Sequence, residues 1–185
     1  MDVGTIIFLI RILQIILLLG AIVLAVFVSS QIYVLSVREA PWVPTRRDPA
    51  HHLLSFAKLK KGETVLDMGC GDGSILITGA REFGARGIGY DINPMIILLG
   101  RVRCLFSGVV SQVHLKRGNI FHVEIPRVDV VALYLFPQVN SALLPRLKAG
   151  LPAGTRVVTR AFPIQELTPK ETSVFNKETY YLYEL

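Results

Sequence analysis

Hydrophobic residues fill almost all of the first 28 positions and then recur in short, alternating blocks. From Val3 to Val28 the sequence is apolar apart from Arg11 and Gln14, the two residues that lipid would disfavour most. At 1.5 Å per residue, about 20 helical residues cross the hydrocarbon core of a bilayer. The run is therefore long enough for one transmembrane helix.

A cleaved signal peptide, a buried helix and a helix lying in the membrane interface are the alternatives for this run. A signal peptide has a charged start and an apolar region of about 7 to 15 residues, whereas this chain begins Met-Asp-Val-Gly and stays apolar for longer. Ser29 and Ser30 leave cleavage open. An interfacial helix needs a polar face, and a core helix this apolar needs a larger domain around it. The pattern favours the anchor.

Beyond this run, short apolar blocks alternate with longer stretches that carry helix signals. Asp48-Pro49 and Asn93-Pro94 each place proline after a capping residue, which marks a helix start. Asn176-Lys177 lies between two strand-like runs and predicts a hairpin. The predicted helices are 48–59, 74–83, 95–106 and 139–148, and the predicted strands begin at Thr64 and cover 87–91, 112–116, 128–135, 155–162, 173–175 and 179–183.

The alternation predicts an α/β fold with a Rossmann-like, doubly wound, mostly parallel sheet and a C-terminal antiparallel hairpin, preceded by one N-terminal transmembrane helix. A ligand of such a sheet lies outside the carboxyl ends of the strands, where Gly69 to Gly73, Asp91, Asn119 and Tyr134 are expected to converge. We divide the chain into an anchor at 1–37, a proline-rich linker at 38–47 and a ligand-binding domain at 48–185.

A glycine-rich loop follows the first strand of this domain. Thr64-Val-Leu-Asp67 is followed by Met68 and by glycine at positions 69, 71 and 73. Such glycines permit positive φ and let a ligand approach the backbone closely. The loop therefore indicates a nucleotide-type cofactor site. A dinucleotide site prefers Gly-x-Gly-x-x-Gly, and its third glycine position is Ser74 here.

Polar side chains close the first three strands. Asp67 precedes the first glycine, where its charge would repel a pyrophosphate and attract an ammonium or sulfonium group. Asp91 ends the second strand, at the position where adenosine cofactors need an acceptor for their ribose hydroxyls. Asn119 follows the third strand and offers an acceptor oxygen without a charge.

The segment Thr64 to Gly73 resembles motif I of the class I S-adenosylmethionine-dependent methyltransferases. The resemblance implies S-adenosylmethionine as the cofactor, with Asp67 helping to bind its amino-acid end, directly or through water. Asn119 would lie near the adenine amino group, where this family often has an acidic residue. The implied cofactor-binding residues are Thr45, Asp67, Met68, Gly69, Cys70, Gly71, Gly73, Asp91, Ile92, Asn93, Asn119, Ile120 and Tyr134.

Four segments narrow the resemblance: Ala-Pro-Trp-Val-Pro-Thr at 40–45, the glycine loop, Gly-Tyr-Asp-Ile-Asn-Pro at 89–94 and Arg-Ala-Phe-Pro at 160–163. They are similar to the small single-pass protein-lysine methyltransferases of mitochondria that modify the ATP synthase c subunit and the adenine nucleotide translocase, and to their prokaryotic relatives. A lysine of a membrane or membrane-associated protein is thus the implied substrate. Tyr134-Leu-Phe-Pro137 departs from the Asn/Asp-Pro-Pro-aromatic signature of many amino-methylating enzymes, so the resemblance specifies the cofactor better than the substrate.

Aromatic side chains are the candidate catalytic residues. Transfer from a sulfonium needs a neutral lone pair in line with the methyl group, so catalysis comes mainly from positioning and from excluding water. Aromatic rings can orient an amine and stabilise the cation that forms. Tyr134 is the leading candidate, followed by Phe136 and Trp42, although each also fits core packing. The linker that carries Trp42 fits a rigid spacer as well as a lid, and no spacing identifies a general base.

Charge and composition restrict the partners. The net charge of +6 suits a domain near anionic lipid headgroups, and the basic residues are scattered apart from Lys58, Lys60 and Lys61, so nucleic acid is not favoured. Two cysteines, Cys70 and Cys104, suit a reducing compartment, and we interpret Cys70 as packing rather than as a nucleophile. The four histidines lack a Cys or carboxylate cluster, so no metal site is predicted.

The flanks of the apolar run give its orientation. Arg11 is the single early cation, whereas Arg38, Arg46 and Arg47 follow the run, which predicts the domain on the cytoplasmic side. The membrane would be the plasma membrane in a prokaryote and plausibly the inner mitochondrial membrane in a eukaryote. The leading hypothesis is membrane-anchored lysine methylation. The alternatives are methylation of a lipid or hydrophobic small molecule, and a catalytically silent, cofactor-binding assembly or scaffold protein.

Overall fold

A computed structural model of the protein describes residues 2–36 and 45–185, and the side chains within them except those of residues 30–36. Trp42 and its neighbours at 37–44 lie outside the described residues. The elements in chain order are α1 Val3–Ser36, α2 Arg47–Phe56, β1 Thr64–Met68, α3 Ser74–Phe83, β2 Arg86–Asp91, α4 Pro94–Phe106, β3 Val113–Arg117, β4 Val130–Leu133, α5 Pro137–Gly150, β5 Arg156–Arg160, β6 Glu171–Phe175 and β7 Glu178–Glu184.

Helix α1 is the long apolar helix that the sequence predicts. Its stretch Val3–Ser29 has a mean hydropathy of 2.8 and none of it is buried against the rest of the described protein. Length and composition allow this stretch to cross a bilayer. Its role as an anchor, and the division of the chain at 37 and 47, stay predictions.

The seven strands form one sheet in the order β3-β2-β1-β4-β5-β7-β6. The first five strands are parallel, and β7 runs antiparallel to both β5 and β6. Helices cover both faces, since Leu54 and Leu76 belong to one hydrophobic core and Leu143 and Leu147 to a second. The predicted mostly parallel α/β sheet with a C-terminal antiparallel hairpin is confirmed.

Two predicted helix boundaries follow from local chemistry. Helix α3 ends at Phe83 because Gly84 takes up a left-handed conformation, with φ of +64°, which lets the N–H of Ala85 donate to Gly79 O at 3.1 Å. Helix α4 starts after Asn93, whose side-chain oxygen accepts hydrogen bonds from the N–H groups of Met95 and Ile96 at 3.0 and 3.3 Å. Both predictions are confirmed.

Other predicted boundaries are wrong. Helix α2 is preceded by Arg46 rather than capped by Asp48, which lies in the first turn, where a carboxylate favours the helix dipole. The same helix ends at Phe56 instead of Leu59, because Lys58 has φ of +55°. Strand β4 covers only Val130–Leu133. The predicted strand was longer because the apolar pattern continues through buried residues on both sides of β4. Strand β5 is likewise Arg156–Arg160, shorter than the predicted 155–162.

Candidate functional site

The glycine loop between β1 and α3 has the backbone conformation that its sequence predicts. Gly69, Gly71 and Gly73 have φ of +86°, +52° and +75°, a region that other residues rarely adopt. The N–H groups of Gly69 and Cys70 donate to Tyr90 O at 2.8 and 3.0 Å. The loop is therefore held against the end of β2.

At two of these glycines, neighbouring side chains leave little room for a Cβ atom. A Cβ atom at Gly69 would lie 2.7 Å from Leu135 Cδ2, and one at Gly73 would lie 2.9 Å from Leu115 Cδ1. Non-bonded carbon atoms do not come this close, so a larger side chain would push the leucine away, and the positive φ would strain it as well. The contact with Leu135 places the segment that follows β4 directly against the glycine loop.

Asp91 reaches from the end of β2 to the glycine loop. Its Oδ2 accepts a hydrogen bond from Gly71 N and its Oδ1 accepts one from Asn93 N, both at 2.9 Å. Burial raises the pKa of the Asp91 carboxyl, and the backbone N–H donors partly offset that rise. Each oxygen keeps lone pairs that could accept a further donor such as a hydroxyl.

Asp67 is the more buried of the two acids, with 2% of its surface exposed. It lies on β1 opposite Gly89 of β2 and Ala132 of β4. Burial raises the pKa of Asp67 to about 8, and the neighbouring charge of Asp91 adds to the rise. A cation beside this carboxyl would favour its ionised form and lower its pKa again.

We expect cofactor binding to release a proton from Asp67. With a pKa of about 8, this carboxyl is mostly protonated at pH 7, and a cationic ligand ionises it. Close to one proton should therefore leave per bound cationic ligand at pH 7. The affinity should rise with pH up to about 8 and then level off. Calorimetry in two buffers of different ionisation enthalpy measures this release.

The matched control is Asp67→Asn, which keeps the shape of the side chain and cannot ionise. Its binding should be weaker and should release no proton. Equal release by the wild type and the variant would show that another group titrates, and would remove Asp67 from cofactor binding.

Two other side chains of the loop have structural contacts. A Cβ atom at Gly89 would lie 2.7 Å from Cys70 Sγ, so the missing side chain makes room for the thiol. Burial raises the pKa of Cys70 well above its usual value, which fits packing and not nucleophilic attack. Asp72 accepts hydrogen bonds from the N–H and hydroxyl of Ser74 and pairs with Arg103. That carboxylate ties α3 to α4.

The remaining residues predicted for the cofactor lie at the same edge. Asn119 Oδ1 accepts from Phe121 N at 2.8 Å, so the amide shapes its own turn. The Arg146 guanidinium donates to Ile120 O at 2.7 Å and also to Val123 O, which fixes this turn on α5. The side chains of Met68 and Ile120 belong to the hydrophobic core. Direct cofactor contacts by these residues, and by Ile92 and Asn93, stay predictions.

Tyr134 lies on a buried arginine. The Arg160 Cζ is 4.3 Å from the centroid of the Tyr134 ring. Arg160 also pairs with Glu178 and donates through Nη1 to Thr45 Oγ1 at 3.2 Å. Only 8% of its surface is exposed. The structure thus brings Thr45, Tyr134 and the start of the Arg-Ala-Phe-Pro segment together.

Phe136 and Phe162 meet across the ends of β4 and β5. Their ring centroids are 5.7 Å apart, and Phe136 is 44% exposed. Asn140, which is fully buried, donates from Nδ2 to Leu135 O and Phe162 O, both at 3.3 Å. Ala161, which precedes Phe162 and directly follows β5, has φ of +65°. One amide therefore joins the two segments that carry aromatic side chains at this edge.

Sequence reasoning missed the residues that support the site, namely Asn140, Arg146, Arg160 and Glu178. The sequence does contain a pattern that could have identified Asn140, because this residue lies on the same face of α5 as the buried Leu143, Leu144 and Leu147. A polar residue at such a position needs partners. The partners of Arg160 lie 18 and 115 residues away along the chain, so no local sequence pattern predicts these contacts.

Comparison with known proteins gives consistent matches. A family model described as the ANTKMT methyltransferase domain matches residues 67–171. A protein-lysine N-methyltransferase of Saccharolobus islandicus is 36% identical over 152 residues, covering 80% of this chain and 94% of that protein. The adenine nucleotide translocase lysine N-methyltransferase of Mus musculus is 31% identical over 132 residues, covering 71% of this chain but only 57% of the mouse protein.

A solved structure agrees with these sequences on the fold. The crystal structure of an RNA methyltransferase from Salinibacter ruber in complex with S-adenosyl-L-homocysteine has a TM-score of 0.75 and 34% sequence identity. The match covers 77% of this chain and 93% of that chain. The named substrates of these relatives, protein in two cases and RNA in one, differ.

Proposed function

This chain belongs to the ANTKMT methyltransferase family, and from that premise we propose that it methylates a lysine side chain of a membrane or membrane-associated protein while anchored by α1. The predicted resemblance, the enzyme class and the cofactor are confirmed: the protein is an S-adenosylmethionine-dependent methyltransferase, related to protein-lysine methyltransferases. The roles of individual residues, the anchoring and the substrate belong to the proposal.

The carboxyl pair Asp67 and Asp91 is the observation that carries the proposal for cofactor binding. Ionisation of both acids costs free energy, because burial raises the pKa of Asp67 to about 8, with the neighbouring charge of Asp91 adding to that rise, and burial also raises the pKa of Asp91. A ligand that brings a cation to one acid and hydroxyl donors to the other relieves that cost. S-adenosylmethionine has both, so the donor set fits it, and when bound it supplies an electrophilic methyl group on its sulfonium. We propose that Asp67 holds the amino-acid end and Asp91 the ribose.

Tyr134 and Phe136 are proposed to position the acceptor amine. Both follow β4, and Leu135 between them packs against Gly69 of the cofactor loop. The amine of lysine has a pKa near 10.4 and must lose its proton before it can react. Burial of the incoming amine at this edge would favour its neutral form. The lysine proton would then leave to water.

Helix α1 supports the proposed location. The stretch Val3–Ser29 is long and apolar enough to span a membrane, and more arginines follow it than precede it. We propose a single-pass protein with its catalytic domain on the cytoplasmic side, or in the inner mitochondrial membrane if the source is eukaryotic. A substrate embedded in the same bilayer would then be presented at a fixed height above the membrane.

Transfer of tritium from labelled S-adenosylmethionine into a membrane extract tests the proposed substrate class. We expect the label in the protein fraction and its loss with the Asp91→Ala variant. Label in extracted lipid would favour the lipid alternative, and label in RNA would favour the activity named for the Salinibacter ruber relative. Bound cofactor without any transfer would support a silent scaffold.

A Tyr134→Phe variant is expected to lose turnover rather than cofactor affinity. The ring stays on Arg160, so the fold is kept, but the hydroxyl that could bind the amine is gone. The amine nitrogen becomes positively charged as it takes up the methyl group, and a hydrogen bond to a charged group is worth about 1.5 to 3 kcal/mol, which corresponds to a decrease in kcat of about 10- to 100-fold. Steady-state kinetics with S-adenosylmethionine binding measured separately checks this, and full activity would remove Tyr134 from the mechanism.

A further inference from the structure

The outward surface of α4 is apolar. We call Leu98, Leu99, Val102, Leu105 and Phe106 the α4 face; their exposed fractions are 55%, 41%, 42%, 65% and 86%. At about 100° per residue these positions fall on one side of the helix. Val110, four residues beyond Phe106, is 52% exposed as well. Contiguous apolar surface of this kind marks a contact with another molecule or a membrane.

The inward side of the same helix is apolar as well. Ile96, Ile97, Gly100 and Cys104 are buried against the sheet, and a Cβ atom at Gly100 would lie 2.5 Å from Leu115 Cδ1. A helix with apolar residues on both its inward and its outward side is normally covered on both. In the described part of the chain, α4 packs on β2 and β3, which cover only its inner side.

Two arginines border the α4 face. Arg101 and Arg103 flank Val102 in sequence and therefore lie about 100° from it in opposite directions around the helix. Arg101 donates to Leu115 O at 2.9 and 3.0 Å, and Arg103 donates to Ser74 Oγ at 2.8 Å and pairs with Asp72. The exposed Arg101, bound to a neutral carbonyl, keeps its charge at one edge of the apolar surface, as in a helix that lies in a membrane interface, whereas Asp72 neutralises Arg103.

We propose that the α4 face lies in the interfacial layer of the membrane that holds α1, with Arg101 at the level of anionic headgroups. This inference rests on the proposed anchoring. Ten residues separate Ser36 from Arg47, so the domain cannot move farther than about 40 Å from the end of α1. The net charge of +6 favours an anionic surface.

The orientation that follows has a consequence for the substrate. Helix α4 begins directly after Asn93, two residues beyond Asp91 and at the edge of the sheet where the cofactor loop lies. Seating α4 in the interface therefore brings this edge of the sheet close to the headgroups. The reactive edge would then face lysines at the membrane surface and not those far above it.

Lipid-attached quenchers test the α4 face in the full chain. Phe106→Cys and Val174→Cys carry the same fluorescent label in nanodiscs that contain brominated and anionic lipids, and Leu18→Cys reports on α1. Val174 is a matched control because it is also a strongly exposed apolar residue, at 72%, but lies on β6. Cys70 and Cys104 are buried, and the labelled wild type gives their background. Calorimetry with S-adenosylmethionine confirms that each variant is folded.

We expect the label at 106 to lose most of its fluorescence, as the label at 18 does, and the label at 174 to lose little. Replacing anionic by neutral lipid, or adding Leu105→Glu, should reduce the loss at 106. Quenching at 18 without quenching at 106 would overturn the α4 proposal and leave the anchor intact. Quenching at neither position would overturn both. A label at 106 that is shielded from aqueous iodide but not quenched by lipid would show a protein partner or second copy on this face, and would also overturn the proposal.

Discussion

The Asp91→Ala variant is expected to lose nearly all affinity for S-adenosylmethionine. Each hydrogen bond from a ribose hydroxyl to this carboxylate is worth about 1.5 to 3 kcal/mol, because the acceptor is charged. Losing two of them weakens binding by about two to four orders of magnitude. Asp91 also accepts hydrogen bonds from Gly71 N and Asn93 N, so the glycine loop loses a support at the same time. Isothermal calorimetry with S-adenosylmethionine and S-adenosylhomocysteine measures the effect.

Two variants make this result interpretable. Asp91→Asn keeps the size of the side chain and one acceptor oxygen, so its affinity should fall between those of the wild type and Asp91→Ala. Asp48→Ala removes an exposed carboxylate from the first turn of α2 and should bind the cofactor normally. If Asp91→Ala binds as tightly as the wild type, the ribose assignment is wrong.

The Arg160→Leu variant is expected to lower the thermal midpoint by about 6 to 12 °C. The change leaves Glu178 without its partner and removes the support under Tyr134. Breaking a buried ion pair costs about 3 to 5 kcal/mol, and the low end applies because the Glu178 side chain is 31% exposed. For a chain of this size, 1 kcal/mol shifts the midpoint by about 2 to 4 °C. Turnover should fall together with stability, since Tyr134 is no longer positioned.

Lys170→Ala is the matched control for that loss. Lys170 pairs with Glu184, and both side chains are largely exposed, at 61% and 45%. Exposed pairs contribute at most about 1 kcal/mol, so the midpoint should hardly change. Equal shifts of the thermal midpoint for the two variants would show that the buried pair of Arg160 stabilises the fold no more than the exposed pair of Lys170. A double-mutant cycle with Glu178→Gln would isolate the interaction between the two side chains.

Local sequence patterns predicted those parts of the fold that depend on local chemistry. The glycine loop has positive φ at each of the three predicted glycines, Gly84 ends α3, and Asn93 caps α4. These features depend on residues close together in sequence. Asp48 was misread because a helix dipole favours an acid in the first turn as well as at the cap. Strand β4 was predicted too long because an apolar run has the same pattern in a strand and in a buried loop.

The support of the site could not be predicted because it depends on contacts distant in sequence. Arg160 meets Thr45 across 115 residues, and Asn140 joins segments that follow two different strands. The exposed α4 face has the same origin: Leu98 and Val102 look like core residues in sequence, and only the packed sheet reveals that nothing described covers them.

Residue-level mass spectrometry of membrane proteins tests the account most directly. Membranes from cells that lack the protein are incubated with S-adenosylmethionine and the reconstituted full chain, either wild type or Asp91→Ala. We predict that a lysine of at least one membrane or membrane-associated protein gains mass in steps of about 14 Da with the wild type and stays unchanged with the variant. If methyl groups appear only on lipid or RNA, or on no molecule while the cofactor remains bound, the proposed lysine methylation is contradicted.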